Sequence, residues 1–222
     1  MRDPNFNSSN SEKNKKNFKN INPNDDLINF QPELDGETKI ELIESNFKKI
    51  MEILGLDLED DSLKDTPRRV AKMYVKEIFS GLNKENKPSI TLFKKKYNYS
   101  QMIVEKDITL FSTCEHHFVP IIGKVHLAYF PSDNVIGLSK LNRIVHFISK
   151  KPQLQERLTQ EIAEELMSIL DTEDVAVFIE ADHLCVKSRG INDVNSQTVT
   201  SSYYGKFQET ETRKEFLSYI QK

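Results

Sequence analysis

Glycine is scarce in this chain. Its 222 residues hold only Gly36, Gly55, Gly81, Gly123, Gly137, Gly190 and Gly205, and nowhere do they fall at the spacing of a GxxxxGK[ST] phosphate loop or a GxGxxG dinucleotide fingerprint. A P-loop NTPase and a standard Rossmann dehydrogenase are excluded on that count. Cysteine is scarcer still: Cys114 and Cys185 are too few for a secreted disulfide scaffold and too far apart for a CxxC redox pair. No charge sign dominates either. The 31 Lys and Arg against 34 Asp and Glu leave a net charge of -3, which argues against a dedicated nucleic-acid or membrane-surface binder. No apolar run approaches the roughly 18 residues of a spanning helix. The N-terminal stretch lacks the apolar centre of a signal peptide, and its acidic residues disfavour a mitochondrial presequence. The expectation is a soluble, cytoplasmic protein with no membrane and no nucleic-acid partner.

What is present suits one sizeable domain and a tail. The composition is 37% hydrophobic and 29% charged, and a compact domain of this length buries about 70% of its unfolded surface. Residues 1–36 contain nine Asn among Ser, Lys and Pro, with few apolar side chains. Such a segment cannot bury enough surface to offset the entropy of ordering it, so it reads as a disordered tail, either a solvated spacer or a docking arm. The folded domain spans 37–222.

From Thr38 the apolar residues Ile40, Leu42, Ile43, Phe47, Ile50, Met51 and Leu54 recur at three- and four-residue steps, and Gly55 is a natural stop. Asp65-Thr66-Pro67 offers an N-cap with Pro in the first turn of a second helix, striped by Val70, Met73, Tyr74, Ile78 and Phe79. Strand-like stretches follow at 89–93, 102–112 and 123–130, suiting an antiparallel sheet. Ser139 is placed to cap a helix faced by Leu141, Ile144, Val145 and Ile148, and Pro152 to open another faced by Leu154, Leu158, Ile162, Leu166 and Ile169. Residues 174–189 and 197–207 read as two long strands, and 209–220 as a closing helix. Helices, strands, two helices and strands in that order predict an α+β fold rather than a βαβ alternation.

Cys114-Glu115-His116-His117 contains a Cys-x-x-His step at a strand end, where a tight turn brings a thiolate and an imidazole onto one point. The two-residue strand period then puts His183, Cys185, Lys187 and Arg189 on the face that carries Val175, Val177, Ile179 and Ala181. That face turns from apolar core to ligand chemistry. Small buried cysteines and a satisfied core histidine would give the same residues. If Cys114, His117 and Cys185 share a metal, two thiolates and an imidazole favour Zn2+, and three protein ligands leave a fourth position for water, which zinc acidifies to a pKa of about 7. His116 and His183 would then move protons; a closed structural site with His183 or His116 as fourth ligand is the rival.

Gly137-Leu138-Ser139-Lys140 enters a helix with Lys140 and Arg143 a turn apart at its start, where free N–H groups and the dipole attract anions. These basic residues make either a phosphate seat or a solvated basic face. Arg189 and the pair Arg68-Arg69 are further phosphate candidates. Glu156 lies off its helix's apolar stripe beside Arg157, so spacing alone makes it a surface carboxylate. Ser196, Thr198, Thr200 and Ser202 share one strand face, with no role following from that.

With these residues assembled, the chain resembles the GTP cyclohydrolase I family from about residue 38 to 221. The resemblance is carried by Asp65-Thr66-Pro67-Arg68-Arg69-Val70-Ala71-Lys72-Met73-Tyr74, Ser112-Thr113-Cys114-Glu115-His116-His117, Val135 to Leu141, Gln153 to Thr159, His183 with Cys185 and Arg189-Gly190, and Asn195 to Ser201. It implies the T-fold, an antiparallel sheet backed by two helices, closing as pentamers into a toroidal homodecamer with sites between subunits. It implies zinc on Cys114, His117 and Cys185, with His116 and His183 free as catalytic proton carriers. The triphosphate of GTP would sit on Ser139, Lys140, Arg143, Arg189 and a neighbouring subunit's Arg69, and Glu156 would take the guanine edge. The implied reaction turns GTP and water into 7,8-dihydroneopterin triphosphate and formate, opening pterin synthesis toward folate or tetrahydrobiopterin. Lys150-Lys151 before Pro152, where the family has an arginine, and the bulky Tyr203-Tyr204 depart from the pattern without touching a named role. A related nitrile reductase of the same fold lacks this zinc triad, and His117 beside Cys114 argues against it.

Overall fold

The computed structural model describes residues 34–96 and 98–221. The tail expected over 1–36 lies outside the described residues except for its last three, of which Gly36 opens the first helix, α1 (Gly36–Ile53). That helix stops as its sequence suggests. Gly55 takes a positive φ of 78°, the Leu56 N–H reaches back to the Met51 carbonyl at 3.1 Å, and the Gly55 N–H reaches the Glu52 carbonyl at 3.0 Å. This paired hydrogen-bond cap needs a left-handed residue, which glycine supplies without steric cost. Helix α2 (Thr66–Met73) has Pro67 in its first turn. Arg68 fastens it to α1 through Glu44 at 2.9 Å and Glu37 at 2.8 Å, and these two carboxylates raise the guanidinium's pKa. A π-helical turn (Tyr74–Ile78) follows, and the chain then docks at Gly81, whose N–H donates to the Lys150 carbonyl at 2.9 Å. A Cβ at Gly81 would lie 2.2 Å from the Phe147 carbonyl oxygen, so only glycine allows this approach.

The central sheet has five strands. β2 (Ile103–Cys114) and β3 (Pro120–Tyr129) pair antiparallel, β3 pairs with β6 (Val175–His183), and β6 with β7 (Thr198–Tyr203). A two-residue strand, β5 (Pro152–Gln153), runs parallel to the end of β2 and gives the order β5-β2-β3-β6-β7. A separate small ribbon joins β1 (Leu92–Lys94) to β4 (Asn134–Ile136). Helices α3 (Leu138–Ser149) and α4 (Gln155–Leu170) cover one face of the sheet, where Leu110, Val125, Leu127, Val177 and Ile179 pack with Leu141, Ile144, Leu158, Ile162 and Leu166. Each such fully buried aliphatic stabilises the fold by about 1.5–3 kcal/mol. On the opposite face, Met102, Ala128 and Ala176 meet Phe207 and Phe216, the latter from α6 (Thr210–Ile220). The architecture is α+β with a mixed sheet. No helix among the described residues is long and apolar enough to cross a membrane.

Four sequence expectations are corrected. The strand expected to run to Arg189 ends at His183, and Leu184–Lys187 forms a helical turn, α5, so Cys185 leaves the strand face instead of continuing it. Pro152 does not open a helix; with Gln153 it pairs to β2, and α4 starts at Gln155. Ser139 is not a cap but lies inside the first turn of α3 behind Gly137. Asp65 precedes α2 without a side-chain capping bond, its carboxylate lying 3.6 Å from Arg69.

The sheet carries one irregularity. The β2–β3 register shifts between Glu105 and Ile108, and Asp107 adopts a φ of 60°. Its N–H donates to Nδ1 of His126 at 3.3 Å, while Nε2 of His126 lies 3.8 Å from Glu180. His126 is only 3% exposed. Burial lowers its pKa against the opposing pull of Asp107 and Glu180. A histidine depressed in the fold contributes stability that is full above the unfolded value of about 6.5 and is lost as pH falls toward the folded value. The wild type is therefore expected to lose stability below about pH 6.5 more steeply than His126→Gln, by at most about 1.4 kcal/mol per pH unit, seen as a steeper fall in melting temperature. Parallel melting curves for the two proteins between pH 7 and 5 would refute this role.

Candidate metal centre and substrate site

The centre is built where two strand ends meet. At the end of β2 the chain makes a tight turn, closed by the Phe118 N–H on the Cys114 carbonyl and the Cys114 N–H on the Val119 carbonyl, both at 2.9 Å. Phe118 takes a φ of 53° to complete it. This turn folds His117 back so that its Nδ1 lies 3.9 Å from Cys114 Sγ. The β3–β6 register sets His183 opposite Ile121, and the α5 turn then swings Cys185 in. The ligand atoms of Cys114, His117 and Cys185 all lie within 4.8 Å of one another.

The donor set fits zinc. Bonds of about 2.3 Å to sulfur and about 2.0–2.1 Å to nitrogen put tetrahedral neighbours roughly 3.5–3.8 Å apart, close to the 3.9 Å found. Cys114 is buried, Cys185 half-buried and His117 exposed, so the cluster opens toward solvent on one side. Burial and the neighbouring Cys114 push the Cys185 thiol's pKa up. Two sulfurs held together resist joint ionisation unless a cation is shared between them. Neither His116 nor His183 joins the group among the described residues.

The turn is held from below. Glu115, between the first ligand and His116, ion-pairs with Arg157 of α4, and its N–H donates to the Gln153 carbonyl at 3.1 Å. Arg157 also donates to the Gln153 side chain and the Pro152 carbonyl, both at 3.1 Å, and lies 3.7 Å from Glu161. A partly buried guanidinium shared among Glu115, Gln153 and the Pro152 carbonyl orients a loop more than it adds stability. Arg157→Met is expected to weaken zinc binding about 10–100-fold, the usual cost of losing a partner that orients a ligand. Unchanged zinc affinity by competition with a chromogenic chelator would count against the clamp.

His116 and His183 flank the cluster. The His116 ring is exposed and sits edge-on to His117, with centroids 6.2 Å apart. Nε2 of His183 lies 2.7 Å from the side-chain oxygen of Gln155. Burial lowers the His183 pKa, and the charges of Glu156 and Asp182 partly restore it. Glu156 is thus near His183 and exposed at the start of α4, available to a ligand as well as to solvent. Arg189 is exposed and close enough for its charge to act on the Cys185 thiol.

The basic candidates separate. Arg68 is committed to Glu37 and Glu44, whereas Arg69 is exposed and, among the described residues, ion-pairs with Asp65 alone, at the long distance of 3.6 Å. Ser139 and Arg143 are exposed on the first turns of α3, and Lys140 donates to the Ser89 carbonyl at 2.7 Å. No hydrogen bond or ion pair among the described residues ties Ser139, Lys140, Arg143 or Arg69 to the cysteine cluster.

Comparison with known proteins shows the family of the chain. The family model described as GTP cyclohydrolase I matches residues 43–221. The chain belongs to the GTP cyclohydrolase I family. It is 57% identical over 184 residues to GTP cyclohydrolase 1 of Flavobacterium johnsoniae, covering 83% of this chain and 82% of that one. It is 56% identical over 188 residues to the GTP cyclohydrolase 1 of Yersinia pseudotuberculosis, covering 84% and 86%. With the Haemophilus influenzae GTP cyclohydrolase 1 the figure is 54% over 183 residues, covering 82% and 84%. The stretch matched to the GTP cyclohydrolase I model contains every site residue named above, Arg69 through Arg189.

Gln155, Glu115 and Arg157 escaped the sequence reading. Gln155 had a signal: it shares the α4 stripe with Leu158, Ile162 and Leu166, and a buried amide in an apolar stripe requires partners. Glu115 and Arg157, 42 residues apart, had none.

Proposed function

We propose that the protein converts GTP and water to 7,8-dihydroneopterin triphosphate and formate, using zinc held by Cys114, His117 and Cys185. The observation that carries this reading is the grouping of Cys114, His117 and Cys185, open on one side, with two further histidines near it that are not part of the group. Zinc held there supplies Lewis acidity, bringing the pKa of water toward about 7. The chain's own groups do the rest. The exposed Glu156 carboxylate accepts two hydrogen bonds from the guanine ring N–H and exocyclic amine and so fixes which edge of the purine enters. His116 protonates N7 as water adds to C8, and His183 moves protons while the imidazole ring opens, formate leaves and the ribose rearranges and recloses.

Ser139, Lys140, Arg143 and Arg189 hold the triphosphate at the start of α3, joined by Arg69 of a neighbouring subunit. Arg69's exposure and weak pairing suit that role. A T-fold ring of subunits, ending in a decamer, is the assembly this implies. Phe111 at 61%, Phe118 at 51% and Val199 at 53% exposure supply apolar surface for such neighbours. Residues 37–222 form the enzymatic domain, 1–36 a tail outside it, and the cytoplasm is the compartment in which GTP would be met.

Incubation with GTP is expected to release formate and, after oxidation, a fluorescent neopterin triphosphate in equal amounts. Folded, zinc-loaded protein that makes neither would leave the reading without support. Lys140→Ala and Arg189→Ala are each expected to raise the KM for GTP about tenfold or more, since each removes a charge-assisted phosphate contact of about 1.5–3 kcal/mol. An unchanged KM in both would remove the phosphate seat.

A further inference from the structure

Gln155 is 1% exposed, yet both ends of its side-chain amide have hydrogen-bond partners. Its Nε2 lies 3.1 Å from the Thr198 carbonyl, 3.3 Å from the Ile179 carbonyl and 3.1 Å from Thr200 Oγ1. Two of those three are carbonyl oxygens, which only accept. The amide therefore cannot be turned over: its NH2 faces the carbonyls and its oxygen faces His183 Nε2 at 2.7 Å. That oxygen accepts and never donates, so the hydrogen on the neutral His183 ring sits on Nε2 and the lone pair on Nδ1. Among the described residues, Nδ1 has no hydrogen-bond partner.

The hydroxyls beside Gln155 run in one direction. Thr159 Oγ1 donates to the Gln155 carbonyl at 2.7 Å. Its 2.7 Å contact with Thr200 Oγ1 must then be donated by Thr200, which leaves the Thr200 lone pairs for Gln155 Nε2. Residues from α4 and β7 thus close a ring of hydrogen bonds around one amide. The amide keeps a single orientation because turning it over would set its oxygen against the Thr198 and Ile179 carbonyls.

We propose that Gln155, braced by Thr159 and Thr200, is a positioning residue that holds His183 as its Nε2–H tautomer and so makes Nδ1 the atom that accepts the substrate's proton. This rests on the reading of His183 as a proton carrier. It also gives a role to Thr200, which the strand pattern alone left without one. A group acting through another should leave substrate binding alone and change turnover.

The test uses the zinc-loaded protein with 15N in its histidine rings, at about pH 8 where an ordinary imidazole is neutral. The His183 spectrum is expected to show hydrogen on Nε2 only. Gln155→Met keeps the length of the side chain without its hydrogen bonds. It is expected to show His183 as a mixture of tautomers, to lower kcat about 10–100-fold with KM within about twofold, and to keep its zinc. Thr200→Val should lower kcat by a smaller factor in the same way. Hydrogen on Nδ1 in the wild type would overturn the proposal, and so would full kcat in folded, zinc-loaded Gln155→Met. If Gln155→Met does not fold, the wild-type spectrum and Thr200→Val decide. His183→Ala separates the failures: full turnover there defeats the proton-carrier reading, whereas lost turnover there with full kcat in Gln155→Met defeats only the role of Gln155.

Discussion

Cys114→Ser, His117→Ala and Cys185→Ser are each expected to lose bound zinc and turnover together. The three ligand atoms lie within 4.8 Å, and removing one leaves a two-coordinate site that cannot compete with water for the metal. Loss of a mere orienting partner costs about 10–100-fold in metal affinity, so loss of a ligand should cost more, and purified variants should carry less than about a tenth of the wild-type zinc. The three should behave alike although their burial differs, Cys114 being buried and His117 exposed. Packing would predict the reverse, with Cys114 damaging the fold and His117 doing nothing. Elemental analysis beside a melting curve distinguishes the two accounts: a folded variant at full zinc occupancy would contradict the ligand assignment.

His183→Ala is expected to do the opposite to the metal. Its Nε2 is occupied by Gln155 at 2.7 Å, and the ring stands outside the ligand group. Zinc should therefore remain at wild-type occupancy while kcat falls about 10²–10⁴-fold, the range for losing a general acid–base group. The rival, a closed structural site with His183 as the fourth ligand, makes a different forecast. On that account His183→Ala would shed zinc, and chelation would unfold the wild type. Zinc loss with preserved kcat in the reloaded variant would favour that rival.

The chemistry was more legible in the sequence than the geometry that delivers it. The Cys-x-x-His step identified its own turn, because the short connection from Cys114 at the end of β2 to Pro120 at the start of β3 leaves few ways to close. The apolar stripes of α3 and α4 likewise located the core face correctly. Cys185 does join Cys114 and His117, but by a different path from the one expected. Period-two alternation extended β6 to Arg189, whereas the chain leaves the sheet at His183 and brings Cys185 in on a helical turn. Alternation cannot show where a strand loses its neighbour, and β7 pairs only as far as Ala181. Pro152 failed for a related reason: a proline at a helix start and a proline in a short edge strand look alike in sequence, and only the pairing with β2 separates them. Glu115, Arg157 and the Gln155 ring are long-range contacts between side chains whose local context is ordinary. The roles proposed for Glu156 and the basic residues of α3 come from resemblance alone, since an exposed charge looks the same whether it meets water or a substrate.

Zinc titrated back into chelated protein, with GTP turnover followed at each step, tests the central claim most directly. Activity should rise in proportion to metal bound and level off at about one zinc per chain, the capacity of a single three-ligand site. Full turnover in folded protein holding less than about a tenth of that zinc would contradict the account.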